Sequence, residues 1–327
     1  MYFQLSIASV RFSYYIVLAQ VNSEFYYVRP TKAAITLFTR MVHKVIHAHP
    51  NATDTLFFSM LSKMNSSQQI RAKFLPDDMF PNGRVYFEVG NRMFAGDKRC
   101  PTCVIIHNNW IEGEPAKKYR FREHLLWNVD KYRYYSFARR KYVTYDNPVD
   151  FGANLTFKKE DSALRSAFAI AHLLSRTLIL PRFHCYKCWR DCDKTKSYNA
   201  SSTPYCYAGV FYRIATLDLH LPYRESQFLR HTMVPNQVKI SMSPIIEIIP
   251  GDNSSVTLRR NVSDTFIAKD GSGASKEEIR QWFDKYDEVA VLRFRSLYGA
   301  FTRFNTLGSF EGRLKRALVP ADYRQTR

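Results

Sequence analysis

The sequence predicts an α/β protein of two units, and three observations carry that prediction. Ala163 to Pro181 reads ALRSAFAIAHLLSRTLILP, an amphipathic helix running directly into a buried strand. Helix followed by strand is the order that builds parallel sheets. Short apolar runs recur at Val104–Ile106, Ile245–Ile249 and Val289–Leu292, each bounded by polar or turn residues as buried strands are. Ser275 followed by Glu278 writes a capping box ahead of a helix reaching about Lys285.

A chain of 327 residues suits one large domain or two ordinary ones. Asp146 to Gly152, with its Asn-Pro pair and glycine, is the best linker, so the expected units are 1–145 and 153–327. The second unit holds a cysteine-rich loop at 184–206.

Taken in order, residues 1–21 are apolar but interrupted by Gln4, Arg11 and Gln20, too short a run for a membrane helix. Phe25 to Val28 reads as a strand ended by Pro30. Thr31 then caps a helix to about His47, with Ala34, Leu37, Phe38, Met41, Val42 and Val45 at helical spacing. His43 and His47 are four apart, as metal ligands on one helix face can be, but no acidic partner accompanies them and they read as surface histidines. Thr53 to Met64 is a second helix, Phe80-Pro81-Asn82-Gly83 a turn, and Val85 to Phe87 a short strand.

Cys100 and Cys103 form a C-x-x-C pair ahead of the Val104–Ile106 run. Redox motifs of this spacing start helices, so a local structural disulfide is the expectation. The run leads into His107-Asn108-Asn109-Trp110, with Gly113 and Lys117 close behind. An imidazole, two amides, an indole, a glycine and a cation at the carboxyl end of a strand suit a diphosphate-bearing ligand. A solvated basic loop with a packed tryptophan is the competing reading. Phe121 on to Tyr142 reads as helix, and its KYRYYSFARRKY segment is either an aromatic-basic face for nucleic acid or glycan, or an amphipathic surface.

In the second unit Asp161 or Ser162 caps a helix to Ser175, and Thr177 to Leu180 is the strand after it. Cys185, Cys188, Cys192 and Cys206 could make two disulfides or a zinc site. Residues 251–274 read as a long loop. The strand at Val289–Leu292 has Arg293, Phe294, Arg295 and Ser296 at its carboxyl end, where cations suit an anion or simply face water.

The net charge of +19 implies polyanionic partners such as nucleic acid, membrane surface, acidic glycans or phosphorylated substrates. Six N-glycosylation sequons begin at Asn51, Asn65, Asn154, Asn199, Asn253 and Asn261, where chance would supply roughly two. With an even number of clustered cysteines they favour a secretory lumen and count against a nucleic-acid partner.

Asn22-Ser23-Glu24-Phe25-Tyr26-Tyr27-Val28-Arg29, the Gln68-Gln69 pair, Phe80 to Gly83, His107 to Ile111 with Gly113, Lys117, and Arg120-Phe121 with Leu126-Trp127 form an ordered set. The set resembles the nucleotide-diphospho-sugar transferase domain of glycosyltransferase family 77, which includes rhamnogalacturonan xylosyltransferases and extensin arabinosyltransferases. It covers about residues 16–130. Ala163 to Pro181 and the cysteine loop look like the C-terminal extension of the arabinosyltransferase-like members. The resemblance implies a partial GT-A-like, Rossmann-like nucleotide-sugar domain followed by a second α/β unit. It implies transfer of a sugar from a UDP-sugar to a glycan or glycoprotein hydroxyl in the Golgi lumen, with manganese or magnesium. In that picture His107 is the metal or diphosphate ligand, Asn109 and Gly113 line the donor, and Lys117 neutralises the diphosphate. Asn22 faces the donor sugar and Gln68 the reaction centre.

Three departures set expectations for activity. The family's Asp-x-Asp lies upstream of the Asn22 segment, and residues 1–21 contain no Asp. Glu24 stands where the family has glycine, and Ser67 where an aspartate precedes the glutamine. An N-terminally truncated or degenerate member is therefore expected, attached to membrane only through an N-terminal anchor missing from this chain. A catalytically inactive, glycan-binding or partner-stabilising relative is the alternative, and a basic nucleic-acid-binding protein the second.

Overall fold

A computed structural model describes residues 3–4, 28–47, 72–73, 75–89, 100–109, 111, 113–146, 156–184, 205–249, 264–269, 271 and 273–321. The chain forms two compact units, Met1–Arg92 with Lys98–Ile111, and Met93–Asp97 with Glu112–Arg327. Except for Asp146, the linker proposed at 146–152 lies outside the described residues.

In the first unit β1 (Phe3–Gln4) pairs in parallel with β2 (Ala72–Lys73). Helix α1 (Lys32–His47) starts where Thr31 was expected to cap it, and the Thr31 hydroxyl accepts the Ala34 amide at 3.4 Å. Ala34 and Leu37 are buried on one stripe of α1, while Ile35 and Val42 are exposed. The turn expected at Phe80–Gly83 lies earlier, at residues 77–79, with Asn82 in a β-bridge, and Arg84–Val89 follows as a π-type helix in place of the expected strand. Asn82 explains the difference: its side chain accepts the Val85 amide at 2.9 Å and its carbonyl the Tyr86 amide at 2.9 Å. That seeds a helical turn, and the neighbours Tyr86 and Phe87 are then both buried, which an alternating strand on one face would prevent.

The second unit begins with α2 (Glu114–Glu123). Residues beyond it do not continue as helix: a short 3-10 turn at Lys131–Arg133 leads to strand β3 (Tyr142–Tyr145). Leu125, at φ 57°, takes the chain out of the helical path just past α2, and farther on Asp130 accepts the amide of the buried Tyr135 at 2.7 Å. Helix α3 (Phe157–Leu173) starts earlier than expected, because Thr156 rather than Asp161 or Ser162 caps it. The Thr156 hydroxyl accepts the Lys159 amide at 3.3 Å, and the Phe157 ring stacks on Phe211. Strand β4 (Thr177–Ile179) follows directly, as the sequence predicted.

A two-stranded antiparallel ladder, β5 (Phe183–His184) with β6 (Tyr205–Cys206), brackets the cysteine loop. Next come α4 (Ile214–His220), β7 (Tyr223–Arg224), α5 (Asn236–Ile240) and β8 (Met242–Ile249). Strand β9 (Asp264–Ile267) lies within the stretch expected to be loop; Phe266 gives it an anchor, stacking on Trp282. Helix α6 (Lys276–Phe283) carries the predicted capping box, with Ser275 and Glu278 bonded reciprocally. Strand β10 (Val291–Phe294) takes in Arg293 and Phe294, so only Arg295 and Ser296 stand beyond its end. Helix α7 (Ser309–Ala317) is the last described element of regular helix.

Six strands make one sheet in the order β7-β4-β3-β10-β8-β9, and every pairing is parallel. From β3 the chain steps outward to β4 and β7, crosses to β8 and β9, and returns to β10 beside β3. The α/β class read from the sequence is borne out by this sheet. Alanines 163, 167 and 171 of α3 are buried, and their small side chains let the helix lie close against β3 and β4. Arg176 is buried beside β4 and its guanidinium binds the Val289 carbonyl at 2.7 Å and the Tyr286 carbonyl at 2.8 Å. Those bonds tie the start of β4 to the turn that feeds β10, with β3 between the two strands. No helix among the described residues is long and apolar enough to cross a membrane.

Candidate functional site

The first unit gathers two of the sequence motifs into one structure. His107 forms an isolated parallel bridge with Asn82, and its amide binds the Pro81 carbonyl at 3.0 Å. Asn109 reaches the same turn, its side-chain oxygen accepting the Gly83 amide at 2.7 Å. The Asn109 amide closes back on the His107 carbonyl at 2.9 Å, which fixes the pair as a tight polar turn. Pro81, Asn82 and Gly83 are buried beneath it, while His107, Asn108 and Asn109 are half-buried.

The strand expected to lead into His107 does not form. Val104 is 59% exposed and the backbone from Val104 to Ile106 carries no ladder. The Val104 amide binds the Met79 carbonyl at 2.7 Å, so this segment docks on the 76–83 turn instead of entering a sheet. Cys100 and Cys103 are joined by the expected disulfide at the head of that segment. Thr102 within the bridge donates to the Asp78 carbonyl at 3.0 Å, which anchors the same turn from its other end.

Gly113 and Lys117 belong to the second unit, at the start of α2. Gly113 has φ 80° and ψ 145°, a backbone that side-chain-bearing residues avoid. An added Cβ would meet nothing nearer than Pro115 at 3.8 Å, so conformation and not space selects glycine here. The Lys117 amide makes the first helical bond back to the Gly113 carbonyl at 3.1 Å. Glu114 pairs with Lys118 on the exposed side of this turn. The turn thus offers backbone N–H groups and a lysine at a helix start, chemistry that favours an anion.

Asn22 and Gln68 lie outside the described residues, as do Cys185, Cys188 and Cys192 and all six sequon asparagines. Cys206 is disulfide-bonded, which agrees with disulfides rather than zinc in the 184–206 loop. Among the described residues no group of three or more His, Cys, Asp or Glu is placed to hold a metal ion. The His43 and His47 rings lie 4.5 Å apart on α1 without such a group.

Sequence reasoning missed Glu123 and Glu225, both buried in the second unit. The Glu123 carboxylate is bound by Ser226, whose amide donates at 2.9 Å and whose hydroxyl makes a short contact. Burial pushes the Glu123 carboxyl up to about 8 and Glu225 up to about 7, with Arg122 holding the latter down. Nothing in the local sequence marks either glutamate, because their partners lie about a hundred residues away in the chain.

Residues 6–121 match the family model described as nucleotide-diphospho-sugar transferase. The chain is glycosyltransferase-like. Arabinosyltransferase XEG113 of Arabidopsis thaliana is 23% identical over 72% of this glycosyltransferase-like chain and 39% of its own length. UDP-D-xylose:L-fucose alpha-1,3-D-xylosyltransferase 3 of the same plant is 33% identical over 28% of the chain and 23% of its length. UDP-galactose:fucoside alpha-3-galactosyltransferase of Dictyostelium discoideum is 39% identical over 21% of the chain and 10% of its length. The chain therefore spans well under half the length of these curated relatives. A crystal structure of POFUT1 in complex with GDP-fucose overlaps 56% of this chain and 52% of that one, at 15% identity and TM-score 0.33, too low to carry an argument. The resemblance read from the Asn22 to Trp127 motifs stands in the family match, and the matching names favour neither the glycan-binding nor the nucleic-acid alternative.

Proposed function

We propose that this chain binds a UDP-sugar and belongs to an enzyme that transfers the sugar to a glycan or glycoprotein hydroxyl in the Golgi lumen. The observation that carries the reading is the joining of the Phe80–Gly83 and His107–Asn109 motifs, which lie inside the matched stretch, through the Asn109–Gly83 hydrogen bond. Two motifs 26 residues apart are thereby built into one polar turn.

In this reading the sequence resemblance alone assigns His107 and Asn109 to the donor; within the second unit Gly113 and Lys117 form a helix start that favours an anion. Lys117 offsets charge on the leaving diphosphate, since stabilising charge that develops on a leaving group is usually the largest catalytic term. Asn22 and Gln68 are assigned the donor-sugar and reaction-centre roles from the sequence resemblance alone. The described residues do not by themselves fit a metal: no group of three or more His, Cys, Asp or Glu gathers among them, and hard divalent ions prefer several oxygen ligands. No step is therefore routed through a metal. Manganese or magnesium coordination by His107 would need further ligands from outside the described residues.

Isothermal calorimetry with UDP and with UDP-xylose, UDP-arabinose and UDP-galactose, each with and without manganese, tests the reading. Saturable binding of UDP that weakens in Lys117→Met is expected. Absence of binding by every nucleotide in the folded chain would sink it. Glycosidase digestion of protein from a eukaryotic secretory host tests the compartment, a mass decrease being expected if the sequons are used.

A further inference from the structure

A dense group of buried ionisable side chains lies where α2 meets the exit of β7, outside the motif residues. Glu123 closes α2; Glu225 and Ser226 follow β7 directly. Glu123 and Glu225 are 4% and 1% exposed. Ser226 addresses Glu123 with both its amide and its hydroxyl, and Tyr119, one turn back in α2, donates its hydroxyl at 3.4 Å. The Tyr119 hydroxyl in turn accepts the Ala208 amide at 3.2 Å. These partners of Glu123 are neutral, and no ion pair reaches it among the described residues.

The cations of the cluster serve the other carboxylate. Glu225 accepts the Tyr134 hydroxyl at 2.7 Å and lies 3.7 Å from the Arg122 guanidinium. Arg122 and Arg224 both lie on the Tyr134 ring, at 3.8 and 3.9 Å from its centroid. Asp218 of α4, Tyr223 and Tyr135 complete the titratable groups that face the pair. Ionising Glu123 would therefore put a second negative charge beside Glu225 in a tyrosine-walled cage, with no cation of its own. The bonds donated by Ser226 favour the ionised form, but burial outweighs them and keeps the docked carboxyl protonated, which adds no charge to the cage.

We propose that the Glu123–Ser226 contact is a proton-dependent latch that docks α2 on the β7 exit and so positions its leading turn, Gly113 to Lys117, for an anionic ligand. The ligand half of this inference rests on the donor reading above; the latch does not. The docked state holds the proton more tightly than an exposed glutamic acid does. Opening becomes easier as pH rises, by up to about tenfold per unit, until the docked carboxyl has ionised at about 8. Glu123 is a positioning residue, because it acts on the ligand only through α2.

Native-state hydrogen exchange of the α2 amides at pH 6, 7 and 8, corrected for the intrinsic chemical rate, tests the latch, with the β10 amides as internal reference. The α2 opening constant is expected to rise at least about tenfold over this range in the wild-type chain. It should rise distinctly less in Glu123→Gln, which keeps an acceptor for Ser226 but cannot ionise. A wild-type constant that stays flat, or that rises no more than that of β10, overturns the latch without any variant. So does a Glu123→Gln chain as steep as wild type. Hydrogen exchange repeated with saturating UDP reads the positioning role: a ligand that binds only the docked turn should lower the α2 opening constant at each pH. An α2 opening constant that bound UDP leaves unchanged overturns the positioning role. Failure of UDP to bind at any pH overturns the donor reading and the positioning with it, while the exchange slope still decides the latch.

Discussion

The side-chain oxygen of Asn109 accepts the amide hydrogen of Gly83 at 2.7 Å, closing the polar turn of the first unit across 26 residues. Gly83 is buried, so its amide has no ready replacement from water when that acceptor is removed. Asn109→Ala is expected to destabilise the first unit by about 1–3 kcal/mol. Asn109→Asp, which keeps an acceptor in place, should lose less. Urea denaturation of both variants makes the comparison, and UDP calorimetry shows whether binding follows the same order.

Gly113 and Lys117 separate conformation from charge at the start of α2. Gly113→Ala must hold an alanine at φ 80° and is expected to cost about 1–3 kcal/mol of local stability, with weaker UDP binding. Lys117→Met keeps the helix start and removes one cation, so UDP affinity should fall roughly tenfold, equivalent to about 1.4 kcal/mol, with little change in melting temperature. If Lys117→Met unfolds as readily as Gly113→Ala, the lysine is structural.

Stability should fall as pH rises from about 5 to about 8. Burial raises Glu123 from 4.5 to about 8 and Glu225 from 4.5 to about 7. For groups raised in the folded state, the stabilising contribution is whole below the unfolded value and is lost as pH climbs to the folded one. The combined loss is on the order of several kcal/mol. Glu278 works in the opposite sense. Burial raises it, but hydrogen bonds from Ser275 and the Lys269 amide leave it below 4.5, so its contribution is lost on further acidification. Urea titrations at pH 4, 5, 6, 7 and 8 should therefore show a maximum near pH 5. Glu123→Gln should flatten the alkaline limb.

Arg176 ties two parallel strands through carbonyls, not through an acid. Its guanidinium binds the Val289 and Tyr286 carbonyls, and burial lowers it from 12.5 to about 10. Arg176→Met would leave both carbonyls without that partner and is expected to destabilise the second unit by about 2–4 kcal/mol. A thermal melt of the variant within a degree of wild type would show the tie to be dispensable.

Much of the α/β fold can be read along the chain where the signals are local. The helix-then-strand order at 157–179, the Ser275–Glu278 capping box and the Thr31 cap each involve groups within a few residues of one another. The errors occur where a distant partner overrides local pattern. Val104–Ile106 has strand composition but docks on the Met79 carbonyl. Val85–Phe87 has strand formers but is wound into helix by Asn82. Asp264–Ile267 reads as loop but becomes an edge strand beside β8 because Phe266 finds Trp282.

The same division holds for function. The sequence by itself determined the likeness to nucleotide-diphospho-sugar transferases, because ordered motifs from Asn22 to Trp127 and the match over residues 6–121 need no coordinates. Side-chain type and spacing also specified the C-x-x-C disulfide, since a three-residue separation leaves the two sulfurs within reach. Only the tertiary structure decided that Asn109 holds Gly83, that Arg176 pins the strand starts and that Glu123 meets Ser226. Those contacts join residues 26 to 113 positions apart, and their energies come from burial. Burial removes water from a carboxylate or an amide, and that makes its partner indispensable; it is a property of the packed chain that no stretch of sequence carries alone.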